Sequence, residues 1–382
     1  MSNNNLLIDL FCGGGGFSLG AHYAGFETAL AVDVNATLSS SIPLNFPRAK
    51  LVNTDLAEAD IAKHPDVAGK PITGIIGGPP CQGFSMIGKR EASDPRNLLV
   101  GHFFRNVAAV KPIFFVMENV PGILEEDNRK SLDLAMEVVG GLYKIVGPLT
   151  IDASEYGAAT SRTRVVIIGF REEYCDAFDE TDFEVFKTKR KPTVHDAIAD
   201  LPGPAAAELL KDEFEWACYP QEGGERVSRY AKAARALPKY NLGWKVAIEQ
   251  LKQGRLSGNQ VTVHSPEIAK RYAAVTGGKR DSVSKSYKLE WTSQCPTLRA
   301  GTGPDRGSFN AVRPLHPDEG RVITVREAAR LQGFPDWFVF HPTKWHSFRM
   351  IGNSVSPYVS RAILKLIASK SGAQKIEMPD AA

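Results

Sequence analysis

Seven short apolar runs recur along the first half of the chain. They lie at residues 6–11, 28–33, 50–54, 72–77, 112–118, 143–151 and 164–170. Stretches of helical character separate most of them, for example 97–110 and 128–139. Strands that alternate with helices predict an α/β domain with a mostly parallel sheet and helices on both faces. The last two runs follow each other closely, which favours an antiparallel edge strand.

The alternation fades after Arg171. Residues 175–320 are rich in Gly, Pro and charged side chains and show weak periodicity. Helical spacing of apolar positions returns at 325–333 and in the amphipathic stretch 357–367. A chain of 382 residues with 43% hydrophobic residues can bury a large core, and we expect it to divide into two domains.

A glycine-rich turn follows the first apolar run. Residues 12–20 read Cys-Gly-Gly-Gly-Gly-Phe-Ser-Leu-Gly and lead into a helical stretch. Glycines at a strand-to-helix turn let a ligand approach the backbone, although many such turns are only tight turns. The dinucleotide spacing G-x-G-x-x-G is absent, and Gly14, Gly16 and Gly20 fit G-x-G-x-x-x-G instead. Asp33 ends the next apolar run, where an acid is placed to hold ribose hydroxyls.

A thiol follows the fourth apolar run. Residues 77–85 read Gly-Gly-Pro-Pro-Cys-Gln-Gly-Phe-Ser, so Cys81 lies in a loop at the end of a predicted buried strand. Such loops carry reactive groups in α/β proteins. Two consecutive prolines restrict the backbone before the thiol and fix its position. The alternative for Cys81 alone is a buried structural cysteine.

Charge is distributed unevenly along the chain. The net charge is only +3, yet residues 224–300 contain fifteen Lys and Arg against five Asp and Glu, a local charge of +10. Aromatic side chains are interspersed in this basic segment: Tyr230, Tyr240, Trp244, Tyr272, Tyr287 and Trp291. Such a segment suits a polyanionic partner, and an ordinary solvated surface is the alternative.

Other features of the composition narrow the protein class. The cysteines are widely spaced and form no C-x-x-C pair: Cys12, Cys81, Cys175, Cys218 and Cys295. This spacing argues against a disulfide framework or a zinc site, so we expect no metal and a reducing cytoplasm. No apolar run approaches membrane-spanning length, and no membrane partner is expected. The first five residues lack a basic-then-apolar leader and look like a frayed polar end.

Six sequence blocks stand in a characteristic order along most of the chain. They are Asp-Leu-Phe-Cys-Gly-Gly-Gly-Gly-Phe at 9–17, Pro-Pro-Cys-Gln-Gly-Phe-Ser at 79–85, Glu-Asn-Val at 118–120, Arg-Thr-Arg at 162–164, Arg-Glu-Ala-Ala-Arg-Leu-Gln-Gly-Phe-Pro at 326–335 and Gly-Asn-Ser-Val at 352–355. In this order and spacing the chain resembles the DNA cytosine carbon-5 methyltransferases, of the type found in bacterial restriction-modification systems.

The resemblance implies a Rossmann-like S-adenosylmethionine-dependent methyltransferase domain with a smaller, irregular target-recognition domain. The catalytic domain would be discontinuous, formed by residues 1–175 and 322–382, because the final helix packs back against the cofactor strand. Residues 176–321 would form the target-recognition domain. The implied enzyme transfers a methyl group from S-adenosylmethionine to carbon-5 of cytosine in a specific duplex DNA sequence and releases S-adenosylhomocysteine.

The resemblance also assigns catalytic roles. Carbon-5 of cytosine is a poor nucleophile, and addition of the Cys81 thiolate at carbon-6 makes it reactive. A protonated carboxyl would neutralise the charge that develops at N3, and Glu118 is the candidate. Arg164 would bind the cytosine O2. Arg162 would hold a neighbouring phosphate or the catalytic loop. A strand-end cap for Glu118 and solvated arginines are the structural alternatives.

Ten residues are implied in cofactor binding. Phe11 would stack on adenine, Asp33 would bind the ribose hydroxyls, and Asp55 would bind the adenine amino group. The remaining residues would admit the methionine portion or line the pocket: Gly13, Gly15, Gly16, Pro80, Leu98, Asn353 and Ser354. For Phe11 and Leu98, a role in the core is an alternative of nearly equal weight.

Cytosine stacked in a duplex cannot be attacked at carbon-6, so the resemblance implies base flipping. Gln82 and Ser85 would fill the vacated space or hold phosphate, and Thr297 and Arg299 would contact DNA beside the flipped nucleotide. We expect a monomer that acts on double-stranded DNA in the cytoplasm, associated with the nucleoid. A cognate restriction endonuclease would act separately.

The chain departs from the family pattern at three positions. Thr160 stands where Gln is usual, Asp33 where Glu is common, and Val34 where a larger residue can cover adenine. Two other functions remain open: an RNA methyltransferase on the same scaffold, and a DNA-binding protein without activity. Intact Cys81, Glu118 and Arg164 argue against the second. An NAD-dependent dehydrogenase fits poorly because of the glycine spacing.

Overall fold

The computed structural model describes residues 5–80, 98–204, 214–219, 227–300 and 313–371. In chain order the strands are β1 Leu6–Leu10, β2 Glu27–Val32, β3 Lys50–Val52, β4 Ile72–Gly77, β5 Phe114–Asn119, β6 Lys144–Asp152, β7 Thr160–Ser161, β8 Thr163–Phe170, β9 Ala217–Cys218, β10 Arg255–Leu256 and β11 Cys295–Pro296. The described helices are α1 Gly16–Tyr23, α2 Ile42–Asn45, α3 Leu98–Val110, α4 Glu126–Met136, α5 Val194–Ile198, α6 Arg229–Arg235, α7 Lys245–Lys252, α8 Pro266–Ala274, α9 Val325–Gln332, α10 Lys344–Asn353 and α11 Pro357–Lys370.

Seven of these strands form one central sheet in the order β3-β2-β1-β4-β5-β8-β6. The pairs from β3 to β5 are parallel, whereas β8 runs antiparallel to both β5 and β6. Every residue of β4 and β5 is buried, as expected for strands covered on both faces. The predicted α/β class and the antiparallel end of the sheet are therefore confirmed, with β6 at the edge.

Helices cover both faces of the sheet. On one face, Phe103, Phe104 and Val107 of α3 pack on the sheet beside Phe115. On the other face, α1 and α11 lie together, and Ser360 donates a hydrogen bond of 2.7 Å to the Phe17 carbonyl. A Cβ on Gly20 would lie 2.4 Å from the Cβ of Ser360, so the two helices approach each other at a residue without a side chain. The amphipathic C-terminal stretch thus forms a helix in this second layer.

A third core joins the two ends of the chain to its middle. It contains Phe46 before β3, Val194 and Ile198 of α5, Leu242, and Trp337 after α9. Two fully buried arginines of α9 lie beside it: Arg330 binds Asp336 through two bonds of 2.6 Å and also pairs with Asp200 at 3.1 Å. A smaller separate cluster contains Tyr272, Leu315 and Val322. Residues 176–321 therefore share one core with the rest of the chain and contribute Tyr272 and Leu315 to a second, small core that Val322 completes.

Two further observations concern the cysteines and the helices of the described residues. Cys12, Cys175, Cys218 and Cys295 are free thiols. Among the described helices, none has the length and apolar character that crossing a bilayer requires.

Candidate active site

The sheet topology places a crevice at one edge. The chain proceeds from β1 to one side through β2 and β3, and from β4 to the other side through β5, although β1 and β4 are neighbours. Ligands of open α/β sheets bind outside the carboxyl ends of the strands at such a switch point. The predicted site residues follow these ends, and the antiparallel direction of β8 brings Arg164 to the same edge.

The glycine turn after β1 has a strained, left-handed backbone. Phe11, Gly13 and Gly15 have φ values of 60°, 47° and 81°, a region that costs energy for a residue with a side chain. Hydrogen bonds from Cys12 N–H to the Val32 carbonyl and from Gly15 N–H to the Cys12 carbonyl, of 3.0 and 2.9 Å, fix the turn. A Cβ on Gly13 would meet no atom within 4 Å. Gly13 is therefore the glycine of this turn that leaves open space for a ligand.

Gly14 and Gly16 instead face the connection between α10 and α11. A Cβ on Gly16 would lie 2.2 Å from the Val355 carbonyl oxygen, and one on Gly14 would lie 3.0 Å from Ser354 Oγ. Ser354 is buried and donates a 2.7 Å hydrogen bond to the Met350 carbonyl. Packing within the chain thus accounts for Gly16 and for the Ser354 hydroxyl. Asn353, in contrast, is exposed.

Asp33 ends β2 beside the glycine turn. Its Oδ2 accepts a 2.9 Å hydrogen bond from Gly13 N–H, and its Oδ1 accepts one of 2.8 Å from Asn35 N–H. Burial raises the pKa of Asp33, and these two hydrogen bonds oppose the increase. Each carboxylate oxygen can accept a further donor, so Asp33 can orient the turn and still bind hydroxyls. Asp55, after β3, is exposed and accepts a hydrogen bond from Ala57 N–H at 2.8 Å.

Asp9 in β1 was not predicted as a site residue. It is 1% exposed and accepts a 2.6 Å hydrogen bond from Ser18 Oγ, which in turn accepts one from Thr28 Oγ1. Helix α1 begins after Gly15, which has no side chain to cap it, so Asp9 supplies the carboxyl at the first turn. Burial raises the pKa of Asp9 to about 7, against the hydrogen bond from Ser18. The signal for Asp9 in the sequence was a single acidic residue inside the apolar run 6–11.

Glu118 and Arg164 form a buried ion pair at the ends of β5 and β8. Arg164 Nε lies 3.0 Å from Glu118 Oε1, and Glu118 is 7% exposed. Burial lowers the pKa of Arg164, while the Glu118 carboxylate opposes this. A Cβ on Gly78 would lie 3.4 Å from Glu118 Oε2. The carboxyl is therefore next to the segment that leads from β4 to Cys81.

Asn119 holds that segment in place. Its Nδ2 donates a 3.2 Å hydrogen bond to the carbonyl of Pro79, two residues before Cys81. No role of its own was predicted for Asn119, although it stands in the Glu-Asn-Val block. Cys81, Gln82 and Ser85 lie outside the described residues. The same holds for the side chain of Leu98, the first residue of α3, whereas Pro80 is described and exposed.

The segment 295–299 is attached to the strand that precedes Arg162. Strand β11 pairs in parallel with β7, and the Thr160 hydroxyl donates to the Cys295 carbonyl at 3.0 Å. Thr297 Oγ1 donates to the Ser161 carbonyl at 2.9 Å, and Arg162 Nη1 to the Leu298 carbonyl at 3.2 Å. Thr160 therefore has a defined structural partner despite its departure from the family pattern.

Arg162 is buried between these segments. It is 3% exposed, and burial together with the charge of Arg164 lowers its pKa to about 9. Its Nε is buried without a hydrogen-bond partner. Beyond it, a Cβ on Gly352 would lie 2.7 Å from Ala300 N, so the backbone after Arg299 packs on the end of α10. The predicted DNA segment thus lies beside the predicted cofactor residue Asn353.

Comparison with known proteins identifies the family. A family model described as C-5 cytosine-specific DNA methylase matches residues 6–369. The Type II methyltransferase M.XorII of Xanthomonas oryzae is 37% identical over 93% of this chain and 82% of its own length. M.DdeI of Desulfomicrobium norvegicum is 30% identical over 95% and 88%, respectively.

Solved structures agree with this assignment. The crystal structure of a protein described as a DNA modification methyltransferase encoded within an E. coli prophage has a TM-score of 0.83 and 41% identity, covering 96% of this chain and 99% of that one. The Dnmt2 methyltransferase of S. pombe is 17% identical with a TM-score of 0.56, over 95% and 98%, and shares the fold. The family match extends over nearly the whole chain and includes the strand ends described above, so the chain belongs to the C-5 cytosine-specific DNA methylase family and is a DNA (cytosine-5-)-methyltransferase.

Proposed function

We propose that methyl transfer proceeds through a covalent adduct of Cys81. The Cys81 thiolate adds to carbon-6 of cytosine, and the ring electron pair moves so that carbon-5 becomes nucleophilic. Carbon-5 then takes the methyl group, loses its proton, and the thiolate leaves as the ring double bond re-forms. The family implies a methyl donor of the S-adenosylmethionine type, which supplies an electrophilic methyl group when bound.

Glu118 and Arg164 both act on the ring of the target cytosine. The charge that builds up after thiolate addition is neutralised by a proton held between Glu118 and N3. In the free protein Arg164 Nε lies 3.0 Å from Glu118 Oε1, so the two side chains are paired before the base arrives. We infer that the incoming cytosine O2 takes over the Arg164 guanidinium, which releases Glu118 to hold a proton. Arg162 supports this exchange of partners and is itself held by its hydrogen bond to the Leu298 carbonyl.

The glycine turn and its neighbours fit the methyl donor. The open space at Gly13 admits a ligand close to the backbone, and Asp33 at the end of β2 presents carboxylate oxygens to ribose hydroxyls. Phe11 is half-buried next to this turn, and Asp55 and Asn353 are exposed polar residues on the connections that surround it. Gly15, Pro80 and Leu98 complete the assignment. Gly16 and Ser354 support the turn by packing.

The target base is flipped out of the duplex, since carbon-6 is not accessible in stacked cytosine. Gln82 and Ser85 follow the nucleophile on its loop and occupy the vacated space or bind phosphate. Thr297 and Arg299 contact the backbone of the flipped nucleotide. The tie between β7 and β11 supports this role because it holds segment 295–299 next to Arg162.

Sequence selection belongs to residues 176–321, and catalysis to residues 1–175 and 322–382. The +10 charge of residues 224–300 and the small core around Tyr272 support a DNA-reading unit. The enzyme acts as a monomer on duplex DNA, since its two functional parts are in one chain. A restriction endonuclease of the same specificity would act separately.

The observation that carries this proposal is the Glu118–Arg164 pair beside the Gly78–Pro80 segment. Because the thiolate is the nucleophile, Cys81→Ser should abolish methyl transfer from labelled S-adenosylmethionine to duplex DNA, while DNA binding persists. Cys218→Ser is the matched control, since Cys218 is an exposed free thiol. Near wild-type turnover of Cys81→Ser would overturn the covalent mechanism.

A trapping experiment tests the adduct itself. In DNA that contains 5-fluorocytosine, fluorine replaces the proton that must leave carbon-5, so the intermediate cannot resolve. Wild-type protein should form a denaturant-stable complex that requires S-adenosylmethionine, and Cys81→Ser should form none. Absence of the complex with active wild-type enzyme would contradict the proposed chemistry.

A further inference from the structure

Helix α10 has a partly exposed side on which the site described above uses only Asn353. Trp345, Arg349 and Asn353 are spaced four residues apart, which places them on one side of the helix. The buried residues of α10, among them Ser347 and Ile351, lie on the other side. The Arg349 guanidinium lies over the Trp345 ring, 4.7 Å from its centroid. The ring thus supports the arginine along the helix surface.

Two further arginines lie against the same helix. The Arg313 guanidinium is 5.2 Å from the centroid of Phe348, a residue next to Arg349. Arg299 is exposed, and its backbone carbonyl carbon would be 2.8 Å from a Cβ on Gly352 in the last turn. Helical spacing puts Phe348, Arg349 and Gly352 within an arc of about 100° around the helix axis. Arg299, Arg313 and Arg349 therefore approach one side of α10.

Helix α10 and the residues that flank it carry no acidic side chain, although Glu215 lies near Lys344 at the start of the helix. Residues 341–371 contain five Lys and Arg and no Asp or Glu. Within the described part of the chain, no ion pair joins Arg299, Arg313 or Arg349 to a carboxylate. His346 follows Trp345 in α10. Its pKa is lowered mainly by burial, and the neighbouring His341 and Arg349 lower it further. The positive charge of Arg349 is therefore felt at the neighbouring His346.

We propose that Arg349 of α10 and Arg313, which lies against the same helix, bind backbone phosphates of duplex DNA and extend the surface that begins at Arg299. This inference rests on the proposed DNA-binding function, and Arg349 adds a contact from outside residues 176–321. Guanidinium groups bind phosphate oxygens through paired donors. Because α10 ends at Asn353, its arginines reach phosphates away from the flipped base. The contact positions the duplex and carries no sequence information.

The salt dependence of binding tests the proposal. Dissociation constants of wild type, Arg313→Gln, Arg349→Gln and the double variant would be measured between 50 and 300 mM salt, with two 30-base-pair duplexes of unrelated sequence. Each lost phosphate contact should reduce the slope of log K against log salt by about 0.9, equally for both duplexes. Arg48→Gln is the matched control, since the Arg48 side chain is 59% exposed and its ion-pair partner is Glu27 of β2, at 3.7 Å.

The outcomes separate this inference from the proposed function. Slopes that stay at the wild-type value in both single variants would overturn the phosphate contacts, even if the wild type binds and methylates DNA normally. Wild-type protein that fails to bind either duplex would instead contradict the proposed function. Arg349→Lys keeps the charge and should retain most of the slope. If it lost as much slope as Arg349→Gln, a folding defect rather than a phosphate contact would be responsible, and the proposal for Arg349 would fail.

Discussion

At the scale of single residues, the central feature is a carboxyl that is paired in the free protein and needed in another state during catalysis. Glu118 is 7% exposed, and Arg164 Nε is 3.0 Å from its Oε1. Arg164 thus occupies the carboxyl in the free protein, whereas proton donation to N3 requires a carboxyl that faces the base. The arrival of the base must therefore change the partner of Arg164. This change would link proton transfer to correct placement of the base.

Glu118→Gln should lower turnover about 100- to 10,000-fold, because the amide keeps the size of the side chain but cannot share a proton with N3. The affinity for S-adenosylmethionine should change little, since Glu118 lies on the Cys81 side of the crevice. Single-turnover methylation and calorimetric titration of the cofactor would measure the two quantities. Glu126→Gln, at an exposed position of α4, is the control. Turnover within about threefold of wild type would leave Glu118 a structural role.

Asp9 gives a second prediction at this scale, concerning pH. The folded protein holds Asp9 protonated up to a pKa of about 7, whereas the unfolded chain releases the proton near 3.8. The folded state thus binds more protons at Asp9 between these pH values. The contribution of Asp9 to the stability of the wild type therefore falls as pH rises from about 4 to about 7.

Asp9→Asn removes this titration while its amide oxygen still accepts from Ser18. The stability of the variant relative to wild type should rise by up to about 1.4 kcal/mol per pH unit across this interval. Urea unfolding at pH 5, 6, 7 and 8 would measure the difference, and titration of other groups, such as Glu215, cancels in it. A difference that stays constant with pH would mean that Asp9 is ionised in the folded protein.

At the scale of elements, the glycine turn serves two partners. Gly13 faces open space, whereas Gly16 meets the Val355 carbonyl of the α10–α11 connection. Gly16→Ala should destabilise the protein by about 1–3 kcal/mol or more, because backbone cannot rotate away from the added methyl group. Gly13→Ala, at φ 47°, should cost about 1–2 kcal/mol and weaken S-adenosylmethionine binding.

The two substitutions are controls for each other. Urea unfolding reports the packing cost, and calorimetric titration with S-adenosylmethionine reports the ligand site. If Gly13→Ala bound the cofactor as tightly as wild type, the open space beside Gly13 would not be the ligand cradle.

The elements also show what the sequence could reveal about the fold. The seven apolar runs were predictable because strands buried on both faces are apolar throughout, as in β4 and β5. Strands β7 and β11 have two residues each and pair across more than 130 positions. A pair of residues has no periodicity, so its partner is decided by tertiary structure alone.

The candidate site was predictable to a similar degree. Strand ends placed Asp33 and Glu118 at one edge, since carboxyl ends of parallel strands meet there, whereas the role of Arg164, near the start of the antiparallel strand β8, came from the family resemblance. The division of the glycines into Gly13 for ligand and Gly16 for packing depended on residues 354–355, over 330 positions away. The role of Asp9 depended on the missing side chain at the start of α1. Long-range packing of this kind leaves no local signal in the sequence.

At the scale of the whole molecule, buried charge joins the recognition and catalytic parts. Arg330 of α9 is fully buried and is held by Asp336 and Asp200, and Asp200 also binds Arg235 of α6 at 2.7 Å. Removal of one member of such a buried set leaves an uncompensated charge, which costs about 3–5 kcal/mol. Residues 176–321 are therefore not an independent attachment, and any exchange of this segment must preserve the interface.

This interface defines the experiment on specificity. A chimera would take residues 176–321 from a relative with another target sequence, with acid and base retained at the positions of Asp200 and Arg235. We expect the methylated sequence to follow the donor and the reaction to remain unchanged, because base-reading contacts come from this segment. Bisulfite sequencing of DNA from expressing cells would identify the methylated site.

A second chimera that replaces Asp200 with Ala should express poorly, since Arg330 loses a partner in the core. If the first chimera folded and still methylated the original sequence, the selecting residues would lie in the catalytic part, and the division at residues 175 and 322 would not separate specificity from catalysis.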